Sequence, residues 1–548
     1  MDMLERAGLA GLYMALQAAD DKDRDLSPLS WELKPDSVTA RWVGPARPAF
    51  EKLIEWAWQV TKKDGVLYLP GVHDTHERDN FYLRVPTHTG IMRTFLQHTN
   101  VQPKGEPVQK IVQLEDNREI SVSYQPPIIR PPKVKEGAAP TPVAEPKKLL
   151  KPAKDVGELF DRKGAFRTEV VELSNWVYPG IAGRYGGEGA WKGMPERAVL
   201  LMLAPTVCLF QRLQGEGGNW VFVVPDVRDL EDFAPTRRRM ALNADFVDVA
   251  SMGDAGLQFF AEYSSKKPRR SLAGCRVVAM GKVGYYASQS IRKAVLDVTA
   301  DQHQVDRYRL LHQQFPNVYV PPRTEETNTE SDVKRKKPAK AKKPADEPPQ
   351  AAGFIKLPAA RGRIADNLVN RRPWYESLHV PQSWDLAEME RQRKKSPGKS
   401  IERLWFEALC YQRSKLMKLI REEAMWDTEA EKVFVEAFWE VMDSLYAQEA
   451  AATERGGSRT IMDRFEDLND DIRRKLTQAK TRTLLRAALS DLFAKAGRQK
   501  TIRTHPAAIW RLIDHPDHWR KGRDLALLAL SSHRKKEDRE SPTNKNGA

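Results

Sequence analysis

Residues 433–446, VFVEAFWEVMDSLY, decide how the C-terminal third of the chain is built. Val435, Phe438, Trp439, Met442, Leu445 and Tyr446 recur at steps of three and four, which lines one face of an α-helix. Upstream, Ile401, Leu404, Trp405, Ala408, Leu409, Leu416, Leu419 and Ile420 repeat the pattern. Downstream it returns in Ile461, Phe465, Leu468, Ile472 and Leu476, then in Leu485, Ala488, Leu489, Leu492 and Phe493. Gly456 and Gly457 mark one turn, Gly497 another, and Pro506 suits the first turn of a further helix. Residues 351–548 are therefore expected to form an all-α helical bundle.

Towards the N-terminus the periodicity stops. Residues 321–350 are polar, and Lys334–Lys343 holds seven basic residues in ten, which repel one another and favour a disordered basic linker. Residues 126–152 hold eight prolines and no apolar period, as in a Pro-rich linker or insertion loop. The blocks on either side, 1–125 and 153–320, mix helix and strand signals and are expected to share one α+β body. Met1–Ala19 and Leu53–Trp58 read as helices, and Ala198–Leu213 as one long buried helix. Val66–Leu69, Phe81–Val85, Ile111–Leu114, Trp220–Val224 and Arg276–Met280 read as strands. The fold class is thus an α+β N-terminal body with an all-α C-terminal helical bundle.

The chain has 548 residues, several times the usual domain length of about 100 to 200. Its 89 Lys and Arg outnumber 74 Asp and Glu, a formal charge of +15, and a polyanion is the leading partner class because clustered cations are rewarded by counterion release. The bland alternative is that the charge only aids solubility. In the bundle the charge is divided: residues 422–471 hold 15 acidic and 4 basic residues, whereas 472–536 hold 17 basic and 4 acidic. The second half is the better phosphate-facing candidate. Cys208, Cys275 and Cys410 lie far apart and form no zinc-type pair, which suits a reducing cytoplasm. No apolar run approaches the roughly 18 residues of a membrane span, so no membrane partner is expected.

Several constellations carry possible chemistry. His73, Asp74, His76, Glu77 and Asp79 form the densest set of metal-ligand types, but their spacing matches neither a helical H-E-x-x-H pattern nor a zinc motif, and a polar loop explains them equally. His505, His515, His518 and His533 stand beside no matching carboxylate pair. In Gly183–Gly193 (GRYGGEGAWKG) glycines allow close backbone approach to an anion. Arg184 and Lys192 add charge there, and Tyr185 and Trp191 are rings for stacking; an ordinary connection is the alternative. Basic clusters follow at Arg237, Arg238 and Arg239, at Lys266, Lys267, Arg269 and Arg270, at Arg391, Arg393, Lys394, Lys395 and Lys399, and at Arg473, Arg474 and Lys475. Such clusters hold phosphates without reading sequence. No nucleophile–base arrangement or nucleotide-triphosphate loop emerges, so neither a catalytic centre, a metal nor a cofactor is expected.

The opening ERAGLAGLYMAL (5–16), the loop GRYGGEGAWKG (183–193) and the closing RDLALLALSS (523–532) together resemble the large subunit of type I CRISPR effector complexes (Cascade), in the Myxan subtype related to subtype I-B. The resemblance implies a non-catalytic subunit that binds the crRNA 5′ handle and double-stranded target DNA, inspects the protospacer-adjacent motif and stabilises the R-loop. It implies backbone and small subunits as partners, with a recruited helicase-nuclease or transposition protein beyond them. It further implies a small-subunit-like bundle, which an internal start near Met389 would release as a separate product. Two other readings stand beside it: a metal-dependent nucleic-acid enzyme using the His73–Asp79 loop, and a basic scaffold protein.

Overall fold

The computed structural model describes residues 2–61, 65–73, 81–95, 108–113, 118–125, 153–173, 191–213, 220–240, 246–263, 272–283, 286–299, 301–321, 353–378, 413–454 and 461–533. Two compact units result: unit 1 comprises Met1–Ala300 and Asn317–Leu357, unit 2 Asp301–Pro316 and Pro358–Ala548.

The described helices of unit 1 are α1 (Met3–Asp21), α2 (Ala46–Ala57), α3 (Phe81–Thr94), α4 (Ala153–Glu158), α5 (Pro195–Val207), α6 (Leu230–Met240) and α7 (Met252–Tyr263). Asp2 and Glu5 close a capping box at the start of α1, satisfying backbone N–H groups that would otherwise lack partners. The small residues of α1 then let it lie directly on α5. A Cβ on Gly8 would stand 2.0 Å from the Leu200 carbonyl oxygen, and one on Gly11 would stand 2.4 Å from that of Leu203. Beside this pair runs a five-stranded sheet in the spatial order Asp248–Val249, Leu209–Leu213, Trp220–Val227, Leu272–Val283, Tyr286–Val298. All neighbours are antiparallel except the first pair. The central strand is buried on both faces, as its unbroken apolar run requires, and Phe222 packs on Phe210 and Phe95. The α+β character of the N-terminal body is as expected, and within unit 1 α1, which precedes residues 126–152, packs on α5, which follows them.

Two elements differ from the sequence reading. Phe81–Val85 opens a helix instead of forming a strand, and most of that helix is buried on all sides. A five-residue apolar run fits either period, and Gly90 allows the helix to lie against Phe210, whose ring a Cβ would meet at 2.4 Å. The apolar stretch from Ala198 is a helix only to Val207. Cys208 is extended and the chain continues as the strand Leu209–Leu213. The buried Arg237 guanidinium donates to the Val207 and Cys208 carbonyls at 2.7 and 2.9 Å, satisfying the end of α5.

The described α-helices of unit 2 are α8 (Gln302–Gln314), α9 (Ala359–Val369), α10 (Arg413–Arg421), α11 (Glu429–Glu454), α12 (Ile461–Gln478), α13 (Arg482–Ala496), α14 (Lys500–Thr504), α15 (Pro506–Asp514) and α16 (Trp519–Ser532). The all-α reading is right, and α11 is its axis, burying Phe434, Phe438, Trp439, Val441 and Met442. Gly497, at φ +81°, ends α13, and Pro506 occupies the first turn of α15.

The unit boundaries depart from 153–320 and 351–548. Val318–Val320 pairs with Phe354–Lys356, so the basic segment between them leaves and returns to one hairpin of unit 1. α8, which precedes that hairpin, belongs instead to unit 2: Arg307 donates to the Ala424 carbonyl at 2.7 Å and to Asp427 at 2.6 Å. The fully buried Trp374 and Tyr375 pack on Trp426, and the Tyr375 hydroxyl donates to Glu431 at 2.9 Å. A product starting at Met389 would lack α8, Trp374 and Tyr375.

Because only a hydrogen fits at the α1–α5 contact, Gly8→Ala should destabilise unit 1 by about 1–3 kcal/mol through overpacking. Chemical denaturation of the two proteins checks this, and equal stability would show that the helices do not meet there.

Candidate nucleic-acid interface

α12 presents its side chains to α13 on one side and to α16 on the other, so the run Arg473–Lys475 divides, each residue lying about 100° round the helix from the last. Arg473 and Arg474 line a groove of about 820 Å³ together with Lys480 and Arg523. Lys475 turns instead towards α13, within 2.8 Å of Asp471 and 3.7 Å of Asp491. A hydrogen bond from Lys475 first, and from Arg474 next, holds the Asp471 carboxyl below the usual carboxylate range.

A second cavity of about 510 Å³ adjoins the groove, sharing Ser377, Lys480, Arg523 and Asp524 with it and adding Trp519, Arg520 and Lys521. The guanidinium carbons of Arg520 and Arg523 lie 5.6 and 5.8 Å from the Trp519 ring centroid, in the range of cation–π attraction. Asp524, buried beneath them, accepts the Ser377 N–H at 3.2 Å and lies 3.3 Å from the Arg523 guanidinium. His515 and His518 stack 4.4 Å apart near the rim, and His518 lines the smaller cavity. The result is a trough lined by six cationic side chains, six carboxylates and an indole, in which cations outnumber carboxylates only in the smaller cavity at the start of α16; cations beside a ring are the chemistry that suits a phosphodiester backbone with unstacked bases.

The other expected contacts scatter. Arg237 is corrected: it is 1% exposed, burial lowers its pKa to about 10, and it ends α5, so its charge is not offered to a phosphate. Arg238 reaches the Gly71 carbonyl, Gln17 and Asp21, while Arg239 reaches Thr236 and Glu262. Lys192 pairs across two short strands with Glu172 at 3.5 Å. Arg184, Tyr185, Lys266, Lys267, Arg269, Arg270, Arg391, Arg393, Lys394, Lys395 and Lys399 lie outside the described residues. So do Asp74, His76, Glu77 and Asp79. His73 is buried, and its Nδ1 accepts the Leu69 N–H at 3.0 Å; burial, then the charges of Arg237 and Arg84, hold its pKa well below the usual histidine value. Among the described residues no group of three or more His, Cys, Asp or Glu could hold a metal.

Lys480, Trp519, Arg520, Lys521 and Arg523 were not singled out by their local sequence. The signal available was the stretch WRKGR (519–523), a ring followed by three cations at the start of a helix.

Residues 1–202 match the DevT N-terminal domain and residues 422–547 the DevT C-terminal domain. The chain is thus similar to DevT proteins in both of these stretches. It is also 27% identical over 376 residues to the CRISPR-associated protein Cas8a1/Csx13 of Myxococcus xanthus (strain DK1622), an alignment covering 67% of this chain and 60% of that relative. The chain thus spans about 60% of the length of that curated relative. These findings bear out the resemblance read from the sequence, and the DevT C-terminal match takes in the whole α12–α16 side of the groove. No helix among the described residues is long and apolar enough to cross a membrane.

Burial also fixes a second imidazole, with a measurable consequence. His88 Nδ1 accepts the Leu67 N–H at 3.2 Å while Nε2 donates to the Gln125 carbonyl at 3.0 Å, which requires the neutral ring, and burial pushes its pKa down to about 4. In the unfolded chain the ring titrates near 6.5. Its contribution is complete above pH ~6.5 and is lost as pH falls from there towards 4, by up to about 1.4 kcal/mol per pH unit. Unfolding of unit 1 should become easier over that window, and His88→Gln should make the pH slope shallower; an unaltered slope would mean that another group titrates.

Proposed function

We propose that this protein is the large subunit of an RNA-guided type I CRISPR effector complex of the Myxan, I-B-like kind. The observation that carries the reading is the DevT match at both ends of the chain together with similarity to a CRISPR-associated protein of Myxococcus xanthus. In such an assembly guide pairing reads the long target, so the protein has to read only a short duplex motif and hold phosphate backbones. The chemistry of this chain suits that division: a +15 chain supplies cations, and the groove between α12 and α16 supplies a trough for an opened strand.

In this reading the subunit is non-catalytic. It binds the crRNA 5′ handle and double-stranded target DNA, inspects the protospacer-adjacent motif and stabilises the R-loop. Arg473 and Arg474 contact phosphates from the groove. Arg184, Tyr185, Lys192, Arg238, Arg239, Lys266, Lys267, Arg269, Arg270, Arg391, Arg393, Lys394 and Lys395 are the further nucleic-acid contacts in this proposal, and backbone and small subunits are its protein partners. It works in the cytoplasm, and a helicase-nuclease or transposition protein joins after target binding.

Co-expression of the chain with the backbone subunits and a repeat-derived guide RNA tests this. The chain should co-purify with the RNA, and the assembly should bind duplex target without cutting it. Guide-loaded assembly that excludes the chain, or strand cleavage by the chain alone, would contradict the reading.

A further inference from the structure

The groove does not end the positive surface of unit 2. Lys480, which lines both cavities, is followed by Arg482, whose guanidinium donates to the Asp514 carbonyl at 3.0 Å. Arg486 donates to the Asp514 carboxylate at 2.6 Å and lies 5.3 Å from the Trp510 ring centroid. Asp517 and His518, just beyond Asp514, line the smaller cavity. The rim of the groove therefore runs directly onto the α13–α15 face.

Charge on that face is one-sided. Residues 480–514 contain eight Lys and Arg against two acids, Asp491, which Lys475 and Lys495 already engage, and Asp514, which Arg486 holds. Arg498, Lys500, Arg503 and Arg511 are exposed, and no carboxylate among the described residues pairs with them. Thr501 fixes α14 inward through two hydrogen bonds to Glu440, at 2.6 and 3.0 Å, leaving Lys500 and Arg503 outward. Packing of Trp510 on Phe493, 5.9 Å apart, brings α15 against α13. Like charges so gathered repel one another until an anion neutralises them.

Resting on the proposed function, we infer that the α13–α15 face is a second phosphate-binding surface, which takes the backbone of a duplex continuous with the strand in the groove. The contact is to phosphates alone. Trp510 packs its ring against Phe493 and Arg486, and four exposed cations at or beside helix ends suit the outward phosphate rows of a duplex whose bases are hidden.

Binding of the full chain to two probes tests this: a thymidine oligonucleotide of about 15 nucleotides, and a random-sequence duplex of about 20 base pairs carrying that oligonucleotide as a tail. A face variant combines Arg498→Gln, Lys500→Gln, Arg503→Gln and Arg511→Gln; a groove variant combines Arg473→Gln, Arg520→Gln and Lys521→Gln. The face variant should leave thermal unfolding and oligonucleotide affinity unchanged. Its log–log salt slope for the tailed duplex should become shallower by about 3 to 4, roughly 0.9 for each phosphate no longer neutralised, with at least about tenfold weaker binding. Unchanged affinity and slope for the tailed duplex would overturn the inference, and so would an equal weakening on both probes. Should the groove variant be silent on both probes while the face variant releases the duplex, the groove assignment falls and this surface stands.

Discussion

Trp439 donates its indole N–H to the Ala529 carbonyl at 3.1 Å, and around that bond α11 and α16 bury Phe438, Met442, Leu525, Leu528 and Ala529 against each other. Burial of this kind stabilises by about 1.5–3 kcal/mol for each large apolar side chain, more than any exposed ion pair supplies. α16 therefore has its position fixed by apolar contact, and its charged start, Arg520–Arg523, stands where that packing leaves it. His533 against Asp443, at 2.8 Å, ties the far end of α16 to the same axis. The charged groove is a consequence of the core rather than of charges finding one another.

Electrostatics then sorts the cations that the core has placed. Asp471 and Asp491 hold Lys475, and Lys495 closes the chain of pairs at 3.0 Å, so the α12–α13 side is largely neutralised internally. Exposed pairs of this sort add little stability, but they remove positive charge from that surface. Across α12, Asp467, Asp470, Asp471 and Asp524 share the groove lining with Arg473, Arg474, Lys480 and Arg523. In the smaller cavity Glu376, Asp517 and Asp524 stand against Lys480, Arg520, Lys521 and Arg523, so the balance tips positive towards the start of α16. A polyanion entering from that end meets positive charge first.

Much of this was legible in the residues. The stripes of α11, α12 and α13 share the 3.6-residue period, and Pro506 and Gly497 punctuate them where the helices start and stop. The excess of basic residues after residue 472 pointed to the half of the bundle that holds the groove cations. Phe81–Val85 was not legible because five apolar residues do not distinguish a strand from a buried helix. The membership of α8 in unit 2 rests on long-range contacts, Arg307 with Asp427 and Gln304 with the Leu368 carbonyl, that no local pattern encodes. Arg237 misled for a related reason: three consecutive arginines on a helix face three directions, and one of them faced the end of α5. WRKGR was concealed by its ordinary composition, since its cations matter only once α16 lies beside α12.

Hydrogen exchange of the full chain, with and without a saturating single-stranded oligonucleotide, reports most directly on where phosphates are held. If the groove is the contact, protection should rise at residues 473–480 and 517–523 and stay unchanged along the α1–α5 contact. Protection confined to unit 1, with those two segments exchanging as in the free protein, would contradict the groove as the site of strand binding.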